Sequence, residues 1–373
     1  MANSLWTDIA PNGAATALDL PAATEGVLAE FLSAQSAAMA AMNPDLGALA
    51  GFTVDAVLGG GKRIRPTFAY WGWRGLAGPD EPVDGVLPAF AALELLHAFA
   101  LVHDDVMDAS ATRRGRPTIH RAFADLHRAR RMPGDAHRFG QSSAILVGDL
   151  CLVWADRLIA TAAVPGATVA AARAVYDRMR VEAIAGQYLD ILGESTPDWS
   201  VEQALCTARL KTASYTVTQP LLYGAALSAA VDTARAGRSA EVLTAYSHYG
   251  LAVGVAFQLR DDLLGLYGEP SLTGKPLGDD VSAAKPTVPL QLARSMATGR
   301  QRAQLERALR RGGRNDMARV AALVTEVGAR HRVENMIAER VELAGAVMAT
   351  APVDAPVRAA LCDLAGAAAW RSA

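Results

Sequence analysis

The chain has 373 residues, of which 51% are hydrophobic and 20% are charged, and its formal net charge at pH 7 is −2. This balance is typical of a globular protein and excludes an intrinsically disordered chain. Without an excess of positive charge, the sequence predicts no binding to nucleic acid, and any anion needs a local site. The three cysteines lie far apart, which favours a reduced cytoplasmic protein over a disulfide framework or a zinc site.

The N-terminus has no basic segment followed by an apolar core, which predicts that no secretory signal is present. Residues 1–24 are expected to be a flexible segment, and 25–373 a single large domain. The longest apolar stretch, residues 86–102, contains Glu94 and His97 and falls short of the about 20 residues that a transmembrane helix needs. We therefore predict no membrane span.

Apolar residues recur at three- and four-residue spacing, and alanine, leucine and arginine dominate, which predicts an all-α protein. Three long helical patterns cover residues 86–108, 167–192 and 242–268. Stretches rich in glycine and proline separate such patterns and predict loops. The predicted loops include residues 75–85, 131–140, 193–200 and 268–280.

A compact acidic motif, D-D-x-x-D, ends the first of these patterns. On a helix Asp104 and Asp108 lie on one face, about 6 Å apart, where like charges repel. Such a pair is expected to recruit a cation, and oxygen ligands favour Mg²⁺, followed by Ca²⁺ or Mn²⁺. An acidic, solvated helix end is the alternative explanation. The single E-x-x-H spacing, Glu94 to His97, lacks the second copy that a di-iron bundle uses.

A second acid pair, Asp261 and Asp262, follows another long apolar pattern. The segments HAFALVHDDVMD and GVAFQLRDDLLG match in kind, which predicts two helices that present acids at equivalent ends. Two such pairs make coincidence a weaker explanation than a shared function. Asp279 and Asp280, in a stretch rich in glycine and proline, are interpreted as turn residues.

Basic residues form two clusters. The segment GGGKRIRP, residues 59–66, combines glycines, which let a ligand approach the backbone, with three cations suited to phosphate oxygens. It does not match the Walker phosphate-binding loop. The second cluster, with Arg113 and Arg114, follows the acidic motif directly. Each cation alone is most simply an exposed charge, but together with two acid pairs they indicate a Mg²⁺-bound polyphosphate.

Seven motifs occur in the order found in a known family: GGGKRIRP, ELLHAFALVHDDVMD, TRRGRPT, AGQYLD, LKTASY, FQLRDDLLG and TGKPLGDD. At these motifs, between residues 59 and 290, the sequence resembles the trans-type isoprenyl (polyprenyl) diphosphate synthases. The resemblance implies antiparallel helices around a deep central cavity, and usually a homodimer. It also implies dependence on Mg²⁺, with up to three ions and Mn²⁺ as a substitute.

In the implied reaction an allylic diphosphate (dimethylallyl, geranyl or farnesyl) ionises, the double bond of isopentenyl diphosphate attacks the allylic cation, and a proton leaves. Metal ions stabilise the charge that develops on the leaving diphosphate. Two acid-bearing helices hold the metals from both sides. The apolar cavity excludes water, which would otherwise quench the cation.

The resemblance implies a role for each matching residue. Asp104, Asp108 and Asp261 are expected to bind Mg²⁺, with Asp105 and Asp262 in support. Isopentenyl diphosphate is expected to bind to Lys62, Arg65, His97 and Arg114. The allylic diphosphate is expected to contact Arg113, Lys211, Thr212, Gln258 and Lys275, with Lys285 a less well matched member, while Gln187 and Asp190 match a family position at the cavity. These five metal-site aspartates and Lys211 form the expected catalytic set.

The sequence departs from the family at three places. Gly265 stands where many members have a third aspartate in the second acidic motif. Lys285 lies in AAKPT, where the flanking residues differ from the usual pattern. Residues 128–139 look like an inserted basic loop, to which no role is assigned, and the helices after Arg294 are also left without a role.

Product length is expected to depend on Ala100 and Phe99, four and five residues before the acidic motif. At 1.5 Å per residue they lie about 6–8 Å below Asp104 along the helix. Ala100 leaves room and Phe99 limits it, which resembles the geranylgeranyl (C20) branch of the family. Helix geometry turns Phe99 away from the Asp104 face, so Leu96 or a facing helix is an alternative limit. A farnesyl (C15) or longer product is the alternative outcome.

Two other functions fit parts of the pattern. A class I terpene cyclase shares the helical fold and the first acidic motif but requires N-D-x-x-S-x-x-x-E, and the N-D at Asn315 lacks the serine and the glutamate. A catalytically silent subunit of a heteromeric synthase usually loses acids from one motif, whereas both pairs persist here. The sequence therefore favours an active prenyltransferase.

Overall fold

The computed structural model describes residues 18–77, 80–228, 236–268, 285–311 and 313–371. Their regular structure is almost entirely helical, and the one sheet in these ranges is a two-stranded hairpin. The predicted all-α class is confirmed. The stretch 269–284, which includes Lys275, Asp279 and Asp280, lies outside the described residues.

The helices and strands are numbered in chain order. They are α1 (Leu20–Met42), α2 (Gly47–Leu58), α3 (Ile64–Arg74), α4 (Leu87–Met107), β1 (Thr112–Arg113), β2 (Arg116–Pro117), α5 (Ile119–Ala129), α6 (Ala136–Ile159), α7 (Gly166–Glu194), α8 (Val201–Thr207), α9 (Gln219–Ala226), α10 (Ala236–Tyr267), α11 (Val288–Met296), α12 (Gly299–Arg311), α13 (Arg314–Glu326), α14 (Ala329–Thr350) and α15 (Ala355–Ala369). A 3-10 helix, Pro44–Leu46, connects α1 and α2, and a π-helix, Ala208–Thr218, lies between α8 and α9.

The chain folds into two compact units. Among the described residues, the N-terminal unit comprises 18–70 and 80–169, and the C-terminal unit comprises 71–77 and the residues from 170 onward. The first acidic motif and both basic clusters belong to the N-terminal unit. The second acid pair, Lys211 and Lys285 belong to the C-terminal unit.

Helix α4 forms the core of the N-terminal unit and packs against α1, α2, α5 and α6. Apolar residues occur on nearly every face of α4, so that Phe90, Leu93 and Leu95 are all fully buried. Burial of one such side chain stabilises a protein by about 1.5–3 kcal/mol. This packing holds the end of the helix, where the acidic motif lies, in a fixed position.

Helix α4 is also long and apolar enough to cross a membrane, with a mean hydropathy of 1.3 in its most apolar window. However, 61% of that window is buried inside the protein. The core helix of a globular protein meets the same criteria, so this single helix is weak evidence for a membrane segment.

Helix α10 is the centre of the C-terminal unit and packs against the π-helix, α14 and α15. Its Tyr246 and Tyr249 are fully buried, and their hydroxyls donate to the carbonyls of Trp71 at 3.2 Å and Leu361 at 2.6 Å. A buried hydroxyl costs free energy unless it is hydrogen bonded, so these bonds allow large aromatic side chains in the core. The second acid pair lies near the C-terminal end of this well-packed helix.

Helix α1 begins within the segment expected to be flexible. The Asp19 side chain accepts a hydrogen bond from the Ala22 N–H at 3.0 Å, and Leu20 and Thr24 are buried. An aspartate cap followed by a proline is a recognised start signal for a helix. Residues 20–24 of the segment 1–24 are therefore helical.

The stretch 128–139, interpreted as an inserted loop, is helical at both ends. Helix α5 continues to Ala129 and α6 begins at Ala136, so only residues 130–135 connect them. Asp135 caps α6 by accepting a hydrogen bond from the His137 N–H at 2.8 Å. The loop predicted over 131–140 is too long because this cap starts the helix before Gly140.

Candidate active site

The first acidic motif lies at the end of α4. Asp104 and Asp105 occupy its last turn, and Asp108 caps the helix, its N–H donating to the Asp104 carbonyl at 2.8 Å. Arg113 on β1 donates from Nε to both carboxylate oxygens of Asp105, at 2.9 and 3.0 Å, and lies 3.3 Å from Asp104. The structure thus joins the predicted metal ligands to a predicted phosphate-binding arginine.

Electrostatics follow from this contact. Burial disfavours the charged form of Arg113, but the hydrogen bond and the charge of Asp105, with those of Asp104 and Asp108, outweigh it, and the pKa of Arg113 is raised. Asp105 is 5% exposed and Asp104 20%. The arginine therefore supplies a positive charge that stabilises two neighbouring carboxylates.

A tight hairpin places the second arginine of this cluster against the glycine turn. Arg114 and Gly115, the central residues between β1 and β2, have φ of +53° and +73°, as a two-residue hairpin turn requires. The Arg114 guanidinium donates to the Gly60 carbonyl and lies against Gly61. The two basic clusters, separated in sequence, are therefore in contact within the N-terminal unit.

His97 lies beside these arginines on α4. Burial, followed by the positive charges of Arg65 and Arg114, holds the pKa of His97 well below its ordinary value. A neutral imidazole carries one donor and one acceptor, so it can still donate to a phosphate oxygen. Arg65 is buried and Lys62 half-buried on the adjoining segment. The residues expected to bind isopentenyl diphosphate are thus grouped on one side of the N-terminal unit.

In the C-terminal unit, Asp190 joins two of the predicted phosphate ligands. The Lys211 Nζ lies 2.6 Å from the Asp190 carboxylate, and the Lys285 Nζ lies 3.5 Å from the same oxygen. Lys285, which the sequence matched less well, is therefore beside Lys211. Gln187 lies one turn before Asp190 on α7 and is half-buried.

Lys211 and Thr212 belong to the π-helix. Long π-helices are rare and occur often at functional sites, and this one has 11 residues. Glycines of both neighbouring helices make room for it. A Cβ at Gly186 of α7 would overlap the Lys211 backbone nitrogen, and a Cβ at Gly254 of α10 would lie 2.5 Å from the Ala213 Cα. The π-helix and the two glycines beside it therefore fix the position of the Lys211 backbone.

Substituting Gly186 with alanine is expected to displace Lys211 and, if Lys211 contacts the allylic diphosphate as the resemblance implies, to lower kcat/KM for that substrate by about 10- to 100-fold, the cost of roughly 1 Å of misplacement. Steady-state kinetics with a farnesyl diphosphate series measures this. Gly345→Ala is the matched control, because a Cβ there meets nothing within 4 Å. Unchanged kinetics in Gly186→Ala would mean that the close approach does not position the lysine.

The second acid pair also faces an arginine. Arg371 forms an ion pair with Asp261 and lies 3.7 Å above the Phe257 ring. Gln258 donates to the Asp262 carboxylate at 2.6 Å, and Asp262 is 9% exposed. The predicted residues of this motif are therefore together, and Arg371 is a neighbour that the sequence did not indicate.

The donor set can be compared with what a metal requires. Among the described residues, no three His, Cys, Asp or Glu side chains are grouped as a metal site made by protein alone. Each acid pair instead offers a few carboxylate oxygens beside an arginine. Mg²⁺ is often held by one or two carboxylates together with water and substrate phosphates. The acid pairs therefore fit Mg²⁺ bound with a diphosphate and do not fit a closed structural site.

Comparisons with known proteins identify the relatives of the chain. The family model described as polyprenyl synthetase matches residues 49–327. Geranylgeranyl diphosphate synthase from Mycobacterium tuberculosis is 34% identical over 307 residues, which cover 82% of this chain and 79% of the relative. Geranylfarnesyl diphosphate synthase from Aeropyrum pernix is 31% identical over 313 residues, which cover 82% and 89%.

A solved structure is also similar. The crystal structure of geranylgeranyl pyrophosphate synthase from Corynebacterium glutamicum, complexed with isoprenyl diphosphate and magnesium, is 39% identical to this chain with a TM-score of 0.87. The match covers 95% of this chain and 100% of that chain.

Proposed function

The chain belongs to the polyprenyl synthetase family, and from this premise we propose that it condenses isopentenyl diphosphate with allylic diphosphates to make geranylgeranyl diphosphate (C20). As a member of this family the chain is a prenyltransferase. The observation that supports the substrate proposal is that acidic and basic side chains form separate groups in the N-terminal unit. Acids at the end of α4 are joined to Arg113, and a second group of cations surrounds His97.

Isopentenyl diphosphate binds to the cationic group in this proposal. Arg65 and Arg114 donate to its phosphate oxygens, and Arg is well suited to such paired contacts. His97, held neutral by burial and by these arginines, donates one further hydrogen bond. Lys62 adds a charge at the glycine turn, where the backbone is accessible to a ligand.

Each unit carries residues for phosphate oxygens: Arg113 in the N-terminal unit, and Lys211, Thr212 and Gln258 in the C-terminal unit. Asp104, Asp108 and Asp261 would hold Mg²⁺, supported by Asp105 and Asp262. When bound, Mg²⁺ supplies Lewis-acid stabilisation of the charge on the leaving diphosphate. Arg113 keeps Asp104 and Asp105 oriented, and it donates to a phosphate oxygen once ligands bind. In the C-terminal unit, Lys211 is held by Asp190 at 2.6 Å and is oriented for a phosphate oxygen.

Product analysis tests this function. The purified protein is incubated with isopentenyl diphosphate, Mg²⁺ and a dimethylallyl, geranyl or farnesyl primer, and products are resolved by chain length. We expect a C20 product from each primer, loss of turnover when EDTA is added, and recovery with excess Mg²⁺. A C15 product, or one longer than C20, would retain prenyl transfer but overturn the product assignment. No product from the folded protein would favour a silent subunit.

We propose further that the chain is a homodimer and works in the cytoplasm. Exposed apolar residues follow one stripe of α6 in the N-terminal unit and one of α7 in the C-terminal unit. Leu146 and Val153 are 53% and 61% exposed, and Val181, Ile184 and Tyr188 are 67%, 56% and 64% exposed. Contiguous exposed apolar stripes are typical of protein interfaces, and a second copy of the chain is the partner that the family resemblance implies.

The molar mass of the protein, measured by light scattering as it elutes from a size-exclusion column, tests the dimer. Val153→Glu combined with Val181→Glu is expected to shift the mass from two chains to one, because two charges enter an apolar interface. Leu343→Glu is the control, since Leu343 is 50% exposed on α14, outside both stripes. A dimer that persists in the double variant would place the interface elsewhere.

A further inference from the structure

Arg63 is the most deeply buried of the three cations in GGGKRIRP. Arg63 is 3% exposed, whereas Lys62 is half-buried. The Arg63 guanidinium donates to the Glu94 carboxylate at 2.8 Å, to the Glu25 carboxylate at 3.1 Å and to the Val57 carbonyl at 3.2 Å. It therefore connects the glycine turn with α1, α2 and α4.

The inner part of this network is shielded from bulk solvent. The side chain of Glu94 is 3% exposed, whereas that of Glu25 is 52% exposed. A buried ion pair is weak evidence for stability, because desolvation offsets much of the attraction, and its best supported use is to fix a register. A contribution to stability therefore does not by itself explain the buried Arg63–Glu94 pair.

The backbone of Arg63 supplies a second observation. Its φ is +49°, a left-handed conformation that is unfavourable for a residue other than glycine. The Arg63 carbonyl accepts hydrogen bonds from the Thr67 N–H at 3.1 Å and the Thr67 hydroxyl at 2.9 Å. These bonds start α3, so the strained residue lies where the glycine turn becomes a helix that carries Arg65.

The position of Glu94 links this network to the anion site. Glu94 and His97 are three residues apart on α4 and therefore lie on the same face. The same guanidinium that holds Glu94 thus sets the glycine turn, with Lys62 and Arg65, against the helix face that carries His97. Glu94 also supplies a negative charge beside Arg114. Burial lowers the pKa of Arg114, and the charge of Glu94 offsets part of that effect.

We propose that Arg63 is a positioning residue for isopentenyl diphosphate: its buried ion pair with Glu94 holds Lys62 and Arg65 in register with His97. Arg63 itself does not contact the ligand, because its guanidinium is engaged with two carboxylates and a carbonyl. This inference depends on the proposed function and adds a residue to that same site.

A double variant separates positioning from folding. Removing one partner of a buried pair is strongly destabilising, whereas replacing both by apolar residues of similar size is often neutral or stabilising. Arg63→Met with Glu94→Leu is therefore expected to fold with a wild-type melting temperature. If the pair fixes the register, KM and Kd for isopentenyl diphosphate rise by about 10- to 100-fold in this variant. KM for farnesyl diphosphate is expected to change less than about twofold, because binding of that substrate is unaffected in both the ground state and the transition state.

Two further variants sharpen the result. Glu25→Gln removes only the exposed outer carboxylate and is expected to change KM by less than about twofold, in keeping with the small contribution of exposed ion pairs. Arg63→Lys keeps the charge but loses the planar fork, so an intermediate KM is expected. Binding of isopentenyl diphosphate is measured by calorimetry as well as by turnover.

A folded double variant with wild-type KM and Kd for isopentenyl diphosphate would overturn the inference. Equal increases in KM for isopentenyl diphosphate and for farnesyl diphosphate would also overturn it, because they would indicate a general loss of order in the protein. The wild-type protein is assayed in parallel. If the proposed function is wrong, the wild-type protein itself will form no product and bind no isopentenyl diphosphate, which distinguishes that failure from the outcomes above.

Discussion

Replacing Asp104 with asparagine is expected to reduce kcat by about 1,000-fold or more while the chain remains folded. The variant keeps the shape of the side chain but removes a charged metal ligand. Metal stabilisation of a leaving group contributes several kcal/mol, and each 1.4 kcal/mol corresponds to about a factor of ten in rate. The Asp104 side chain is 20% exposed at the end of α4, and Arg113, which contacts it at 3.3 Å, is expected to keep its ion pair with Asp105 in this variant.

The measurement is steady-state turnover with farnesyl and isopentenyl diphosphate, with thermal unfolding as a check on the fold. Asp125→Asn is a suitable control, because Asp125 is 65% exposed and pairs with Arg128 at the surface of the same unit. That variant is expected to retain wild-type turnover. If Asp104→Asn keeps its rate to within about tenfold, the acidic motif does not bind an essential metal ion.

Asp261→Asn is expected to have an effect of similar size for the same reason. Its interpretation needs one additional variant, because Asp261 also pairs with Arg371. Arg371→Gln removes the arginine but leaves the carboxylate, and it is expected to reduce turnover far less than Asp261→Asn. Full activity in both aspartate variants would overturn the metal assignment of the whole protein.

Local sequence patterns were sufficient for the helices and for the acids they carry. Helix α4 begins one residue after the start of its apolar pattern and ends one residue before Asp108, because apolar spacing reports directly which residues are buried. Both acid pairs lie near the C-terminal ends of helices, as the match between the two segments predicted. The contact between the two basic clusters follows from the glycines and the hairpin turn.

Other features depend on contacts that are distant in sequence. Arg63 and Glu94 are 31 residues apart, and nothing local distinguishes Arg63 from its basic neighbours. The pairing of Asp261 with Arg371 joins α10 to a residue beyond α15, in a part of the chain without a recognised motif. The π-helix has no spacing signature of its own, since its wider turn depends on space left by Gly186 and Gly254. The cap at Asp135 was a local signal and could have been used.

Phe99→Ala tests the other large expectation, the length of the product. Phe99 packs edge-on against the His103 ring, with centroids 4.8 Å apart. His103 lies 2.9 Å from the Ile145 carbonyl, and a Cβ at Gly148 would overlap its ring. Phe99 is therefore held in place by a fixed neighbour instead of turning freely. A floor made of a fixed aromatic ring limits chain growth more sharply than a mobile side chain.

If Phe99 limits the product, its replacement by alanine is expected to shift the main product from C20 to C25 or longer. The reason is steric, because each added isoprene unit needs space that the ring fills. Products formed from farnesyl diphosphate are resolved by liquid chromatography and mass spectrometry, with kcat as a check on the chemistry. Leu96→Ala is the matched comparison on the same helix, since Leu96 is 1% exposed and was the alternative limit. A product that stays at C20 in Phe99→Ala but lengthens in Leu96→Ala would move the floor to Leu96.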